Sequence, residues 1–289
     1  MEHGIYYNES SEGVIKFYCH KLKIRTILVI FLICADAVMF YCLLERLENS
    51  LWGFLILPIF LLSLILLRMG IRVFNYRSFI GLSTILYYDC DPVKYQDVLN
   101  RLLVLDKKGK GRATLLLEMA AAALVEGKID EGVKYLEQVT FRKFVLFREL
   151  KRLSYYAYYY DLCNDFTGLH RIKEELEKLK ANLKIESRFN KEIEHQISLV
   201  QAMSSHEHES IDSQRKRWVV LYSMADNLLQ ENLYLMRLAK LELAQGKKEL
   251  AIRHMRIVAA EGNTLVCVTE AMRILSMYET TESTCALVE

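Results

Sequence analysis

The chain has 289 residues, with 38 basic against 36 acidic side chains, and a net charge of +2 excludes the strongly basic footprint of a nucleic-acid-binding domain. Its 52% hydrophobic content lies above the globular norm of about 45–50%, and with only two prolines it does not read as a disordered or turn-rich β protein. Seven scattered cysteines with no CxxC pair suggest neither a disulfide framework nor a zinc site, and they fit a reducing cytoplasm.

Residues 1–25 form a charged leader. Two apolar runs follow, Thr26–Leu44 and Leu51–Leu67, separated by Glu45-Arg46-Leu47-Glu48-Asn49-Ser50. At ~1.5 Å per helical residue the first run covers about 28 Å, close to the roughly 30 Å of a bilayer core. The second run is shorter, but Met69, Ile71, Val73 and Phe74 extend it past Arg68, whose head snorkels along its aliphatic stem. The near absence of charge and of any polar face argues against a buried core hairpin in a soluble protein. Tyr41 and Trp52 fall near one water interface, Phe17 and Tyr18 near the other. Lys16, Lys21, Lys23 and Arg25 precede the first run, and Arg68, Arg72 and Arg77 follow the second. The positive-inside rule therefore predicts a two-span protein of the cell membrane, with both termini cytoplasmic and a short loop outside. The first run exceeds a signal-peptide h-region and reads as an anchor.

Asp36 sits near the middle of the first run, where a carboxylate costs about 2.5–3.5 kcal/mol. Its depth matches residues 59–63 of the second run, which puts Ser63 within hydrogen-bonding reach. Two readings stand: a contact with a partner helix or polar pathway, or a protonated Asp36 satisfied inside the hairpin. Pro58 is expected to kink the second helix. Two helices cannot enclose a channel by themselves.

Residues 68–90 read as a linking helix. Asp91 as N-cap and Pro92 at the first helical position begin the next helix, with Tyr95, Val98, Leu99, Leu102 and Leu103 at helical spacing. It stops at the basic loop Lys107–Arg112, a solvated connection that lacks the spacing and preceding strand of a phosphate-binding loop. In 113–139, two helices meet at Gly127, and Ala120–Ala123 allow close approach. With Leu116, Met119, Ile129, Gly132, Tyr135, Leu136 and Val139, this stretch resembles a tetratricopeptide repeat, a helix pair with a period of about 34. The family often has Ala where this chain has Gly132.

A second match covers 235–258, with Leu235, Leu238, Ala239, Gly246, Ala251, Ile252, Met255 and Val258. A degenerate copy spans 150–180, with Leu153, Tyr156, Ala157, Tyr160, Phe166, Leu169, Ile172 and Leu176, and Asn164 at the turn. One further pair is expected around 204–210, with helices over 188–203 and 213–229. A capping helix over 262–279 and a flexible tail over 280–289 complete the chain. The expected fold is all-α: a two-helix transmembrane hairpin (26–67) followed by a tetratricopeptide-like α-solenoid of antiparallel helix pairs (91–279). The likeness to a bacterial membrane protein carrying such repeats implies a curved binding surface.

Several constellations invite a functional reading. Ser204-Ser205-His206-Glu207-His208-Glu209, taken with His195, suggests metal, but it lacks HExxH spacing and reads as a solvated loop. Tyr155, Tyr156, Tyr158, Tyr159 and Tyr160 cluster on one helix. Tyr156 and Tyr160 share a face and are assigned to the core, leaving Tyr155, Tyr158 and Tyr159 as candidate partner-binding residues. Arg171–Lys184 reads as a solvated charged face. Arg215, Lys216, Arg217 and Trp218 read as a surface helix start that is also able to meet acidic lipid or an acidic partner. No catalytic triad, paired carboxylates or nucleotide loop stands out, so no enzymatic activity, cofactor or metal is expected. The sequence points to a membrane-anchored adaptor that binds a protein or peptide partner, with membrane lipid and a partner membrane protein or second copy as further contacts. The alternative is an accessory subunit of a transporter or secretion complex, contacting partner helices through Asp36.

Overall fold

The computed structural model describes residues 4–47, 53–109, 111–141, 145–183, 189–205 and 209–285. Among them the chain is entirely helical, and it divides into two compact units, residues 8–84 and residues 1–7 with 85–289.

The first unit is built on α1 (Ser11–Leu47) and α2 (Gly53–Tyr87). The charged leader and the first apolar run are thus one helix from Ser11 onward. Its stretch Ser11–Cys42 is long and apolar enough to cross a membrane, and none of its most apolar window is buried. Phe31 is 69% exposed and Ile27 68%, so this is not a core helix covered by its own protein. In α2 the apolar stretch Pro58–Ile71 is shorter, so one helix among the described residues has spanning length. Trp52 and the loop residues 48–51 lie outside the described residues. The rings of Phe40 and Phe60 stack with centroids 4.4 Å apart, joining the two helices. Helix α2 runs through Pro58 and on to Tyr87, so the expected linking helix is a continuation of the second apolar helix.

The second unit contains α3 (Pro92–Leu105), α4 (Arg112–Glu126), α5 (Ile129–Gln138), α6 (Leu146–Leu162), α7 (Phe166–Ala181), α8 (Asn190–Ser204), α9 (Ile211–Ser223), α10 (Leu228–Ala244), α11 (Lys248–Glu261) and α12 (Val266–Cys285). Asp91 caps α3 by accepting the Lys94 N–H at 2.9 Å. The helix expected over 213–229 is α9, which ends earlier, at Ser223. Asn227 accepts the Gln230 N–H at 3.0 Å and so starts α10, a cap that apolar periodicity alone does not register. Helix α12 continues to Cys285, beyond the expected end at 279, and 286–289 lie outside the described residues.

Three interhelix turns share one construction. Gly127, Asn164 and Gly246 all have positive φ. In each, the following N–H reaches back five residues: Lys128 to Ala123 at 2.8 Å, Asp165 to Tyr160 at 2.8 Å and Lys247 to Glu242 at 2.9 Å. This closure satisfies carbonyls that a helix end leaves open, and it folds α4 onto α5, α6 onto α7 and α10 onto α11. Apolar positions at the repeat spacing are buried: Leu116, Met119 and Ala120 in α4, Leu153 and Ala157 in α6, Leu238 and Ala239 in α10.

Packing is not confined to neighbours. Helix α12 packs on α10, α11 and α4. The Asn263 amide donates to the Asp89 carbonyl at 2.9 Å, and the Thr264 N–H to the Cys90 carbonyl at 3.3 Å. A strictly neighbour-to-neighbour array keeps its two ends apart; here the last turn docks on the corner between α2 and α3. The N-terminal segment joins the same corner: the Gly4 N–H donates to Asp89 at 2.7 Å, and the Lys94 ammonium donates to the Tyr6 carbonyl at 2.7 Å.

Gly168 supplies a test of this packing. A Cβ added there lies 2.3 Å from the Tyr160 ring. On propensity alone, Gly→Ala in a helix gains about 1 kcal/mol, whereas overpacking costs about 1–3 kcal/mol. Gly168→Ala is expected to lower the thermal midpoint of the full chain in detergent, followed by circular dichroism. A raised midpoint contradicts the observed α6–α7 contact.

Candidate functional site

Helix α6 carries two polar faces because its tyrosine run is longer than one helical face is wide. Residues 152, 156, 159 and 160 fall on one side, and 151, 155 and 158 on the other. The first set lines an open cleft of about 390 Å³ between α5, α6 and α7, with Glu137 from α5 and Arg171 and Glu175 from α7. Tyr159 and Tyr160 are tilted with centroids 5.2 Å apart, and Tyr156 and Tyr160 stack at 6.2 Å. The Arg152 guanidinium lies 5.5 Å from the Tyr156 ring and is held by Glu149 through bonds of 3.1 and 2.5 Å. Arg171 is exposed and makes no ion pair among the described residues. Burial raises the Tyr156 phenol above its ordinary value, with the nearby Arg152 opposing.

Of the three tyrosines expected to bind a partner, only Tyr159 lines this cleft. Tyr155 and Tyr158 point inward, while Tyr156 and Tyr160, assigned to the core by their spacing, pack on the core cluster with one side and line the cleft with the other. The phase of α6 against its neighbours decides this, and a run of five tyrosines does not encode that phase.

The inward face belongs to a buried polar cluster. Glu118 of α4 is 2% exposed and accepts from the Lys151 ammonium at 2.6 Å and from the Tyr95 hydroxyl at 3.3 Å. The Tyr87 and Tyr155 hydroxyls bond each other at 2.9 Å. Lys151 also stands over the rings of Tyr87 and Phe147, at 5.6 and 5.5 Å. Burial, with Glu118 adding to it, pushes the phenols of Tyr87, Tyr95 and Tyr155 up. Burial alone lowers Lys151, but Tyr155, Glu118 and Tyr87 hold it well above the ordinary ammonium value. Sequence reasoning passed over Glu118, although one acid inside the apolar stretch Leu115–Val125 was a usable signal.

Other expected sites fall as follows. The Ser63 hydroxyl of α2 donates to the Asp36 carboxylate of α1 and lies 2.7 Å from the Phe60 carbonyl. His206, Glu207 and His208 lie outside the described residues, and among those described no group of three His, Cys, Asp or Glu converges. Arg215 is bound to the fully buried Glu242 at 2.9 Å, and Arg217 to Glu209 at 2.5 Å, so two cations of the 215–218 stretch are engaged within the fold. His254 completes the Glu242 group at 2.8 Å. No protein-family model, curated protein or solved structure matches the chain.

Two outcomes follow from the buried cluster. Lys151→Met leaves Glu118 uncompensated and is expected to cost about 3–5 kcal/mol, while adding Glu118→Leu recovers most of the loss; chemical denaturation of the three chains measures this. Lys151 and the three tyrosines keep their protons in the folded state beyond the pH at which the unfolded chain releases them, so stability is full below about pH 10 and falls above it. The thermal midpoint should hold up to that pH and then drop, with a shallower drop in Tyr155→Phe.

Proposed function

We propose that this chain is a membrane-anchored helical-repeat adaptor. The α1–α2 pair acts as a two-span hairpin with both termini cytoplasmic, and the remaining helices act as a tetratricopeptide-like solenoid of antiparallel pairs that binds a protein or peptide partner. The observation that carries the reading is the 32-residue apolar stretch of α1, unburied along its most apolar window and followed by a separate helical unit. Lys16, Lys21, Lys23 and Arg25 before the first apolar run, with Arg68, Arg72 and Arg77 after the second, favour the orientation. The α5–α6–α7 cleft is the partner site in this reading. Tyrosine and arginine contribute most to binding hot spots, since they present large, preformed contact area with a polar end. Its walls suit an extended or helical peptide better than a small metabolite, because the cleft is open. The accessory-subunit version is weaker, because Ser63 already serves Asp36 within the chain.

Affinity capture of the full chain from its own cells in mild detergent, quantified by mass spectrometry, tests this. Tyr159→Ala and Arg171→Glu should each reduce a specific partner about 30-fold, corresponding to ~2 kcal/mol at a hot spot, whereas Asp36→Leu should leave it unchanged. Loss with Asp36→Leu but not with the cleft variants assigns the contact to the membrane helices instead. The chain should resist carbonate extraction from membranes. Protease added outside intact cells should leave the region beyond residue 74 uncut, and cleavage there overturns the orientation.

A further inference from the structure

Helix α3 ends in an unusual way. Its inner face is buried through Tyr95, Val98, Leu99 and Leu102, yet its last two residues, Val104 and Leu105, are 78% and 55% exposed. The turn that follows is built around Asp106. Its N–H closes the helix on the Leu102 carbonyl at 3.0 Å, its carbonyl accepts the Gly109 N–H at 2.9 Å, and its carboxylate accepts the Gly111 N–H at 2.7 Å. The Asp106 carboxylate thus accepts from the backbone of its own turn. Lys107, Lys108 and Arg112 are exposed and make no ion pair among the described residues. Gly109, at the tip with φ +61°, has nothing within 4 Å of where a side chain would stand. The result is a preformed corner bearing two bare aliphatic side chains beside three uncompensated cations.

Neither feature serves the fold. Val104 and Leu105 stand mostly in solvent, and Arg112 stands in the first turn of α4, where the helix dipole disfavours a cation. Two other exposed apolar sites carry fewer uncommitted cations. On α9, Val219, Val220 and Met224 are exposed, but Arg215 and Arg217 are bound to Glu242 and Glu209, which leaves Lys216 as the exposed cation there. On α12, Met272 and Met277 are exposed without a comparable basic group.

We propose that the α3–α4 corner is a membrane-contact surface that takes an anionic phospholipid bilayer, with Lys107, Lys108 and Arg112 on the headgroups and Val104 and Leu105 entering the interfacial layer. Aliphatic residues beside cations are the pairing such a boundary selects. Each basic residue near an anionic leaflet is worth roughly a five-fold gain in partitioning, so three cations and two aliphatic groups give reversible contact rather than anchoring. Tethering by a membrane helix makes that contact effectively intramolecular, so weak affinity suffices. Salt weakens the contact, because the charges are exposed.

The proposal rests on the membrane-anchored reading only for placing the chain in a bilayer. Hydrogen–deuterium exchange of the unaltered full chain in lipid nanodiscs tests it, comparing discs of zwitterionic phosphatidylcholine with discs containing phosphatidylglycerol. Amides in 103–109 should exchange about ten-fold more slowly in the anionic discs, with α10 and α11 unchanged. The protection should vanish in high salt and in the Lys107→Glu/Lys108→Glu variant, whose substitutions lie on exposed positions. Equal exchange in both discs, with the chain retained in them, overturns the corner alone. Strong protection in both discs assigns the cover to another part of the chain or a second copy and also overturns it. Failure of the chain to enter either disc overturns the anchored reading and this surface together.

Discussion

A helix that is apolar on every side cannot stand at the margin of a stack. Helix α4 is such a helix: every residue from Leu115 to Val125 is buried, so it needs cover around its whole circumference. Helices α3, α5, α6 and α12 supply it. The last of these comes from the far end of the chain. The return of α12, the docking of Asn263 and Thr264 on the Asp89–Cys90 corner, and the close approach of Val266 to Gly127 all follow from that requirement. A helix with one polar face would have ended the stack and left the chain's end free.

Within this closed arrangement, buried carboxylates set the register between helices. Glu118 on α4 meets Lys151 on α6, Asp161 on α6 meets Arg237 on α10, and Glu242 on α10 meets Arg215 on α9 and His254 on α11. Each acid is almost fully buried, while each Lys or Arg partner keeps about a quarter of its side chain in water. Such pairs add little net stability, because desolvation offsets most of the attraction. Their effect is on alternatives. Sliding one helix by a turn leaves a carboxylate in an apolar interior without a partner, at a cost of several kcal/mol, whereas sliding purely aliphatic faces costs far less. The acids thus discriminate among packings that the alanine-rich and leucine-rich surfaces alone tolerate.

Sequence periodicity captured most of the helical skeleton. Most of the apolar positions around Gly127, Asn164 and Gly246 are buried, because burial on one helical face leaves a direct imprint on spacing. Boundaries governed by a single polar side chain were less legible: Asn227 starts α10 at Leu228, where periodicity carried the preceding helix on to 229. The closing contacts were not legible at all. Asn263 and Asp89 are distant in sequence, and nothing in either neighbourhood specifies the other. The division drawn between the second apolar run and the linking helix has a different origin, since α2 runs through both. A change from apolar to mixed composition suggests a boundary, but the backbone requires one only where a cap or proline intervenes.

The tyrosine run of α6 makes the same point at the candidate site. Five aromatic residues in six positions necessarily wrap most of a helical turn, so spacing alone leaves open which of them face a groove. The phase is fixed by what α6 must bury. Lys151 has to reach Glu118 in α4, and Gly168 in α7 admits only the Tyr160 ring against it. With those two contacts satisfied, Tyr155 turns inward to Tyr87 and Tyr156 turns outward with Tyr159. Lys151 and Arg152 are adjacent in the chain, yet the first neutralises a buried acid while the second stiffens the cleft wall through Glu149. The buried ion pair therefore sets the orientation of the cleft, and a ligand held by Tyr159 and Tyr160 meets walls that are already positioned. That preorganisation reduces the ordering cost of binding, which is what a shallow, open cleft needs if it is to hold a peptide at all.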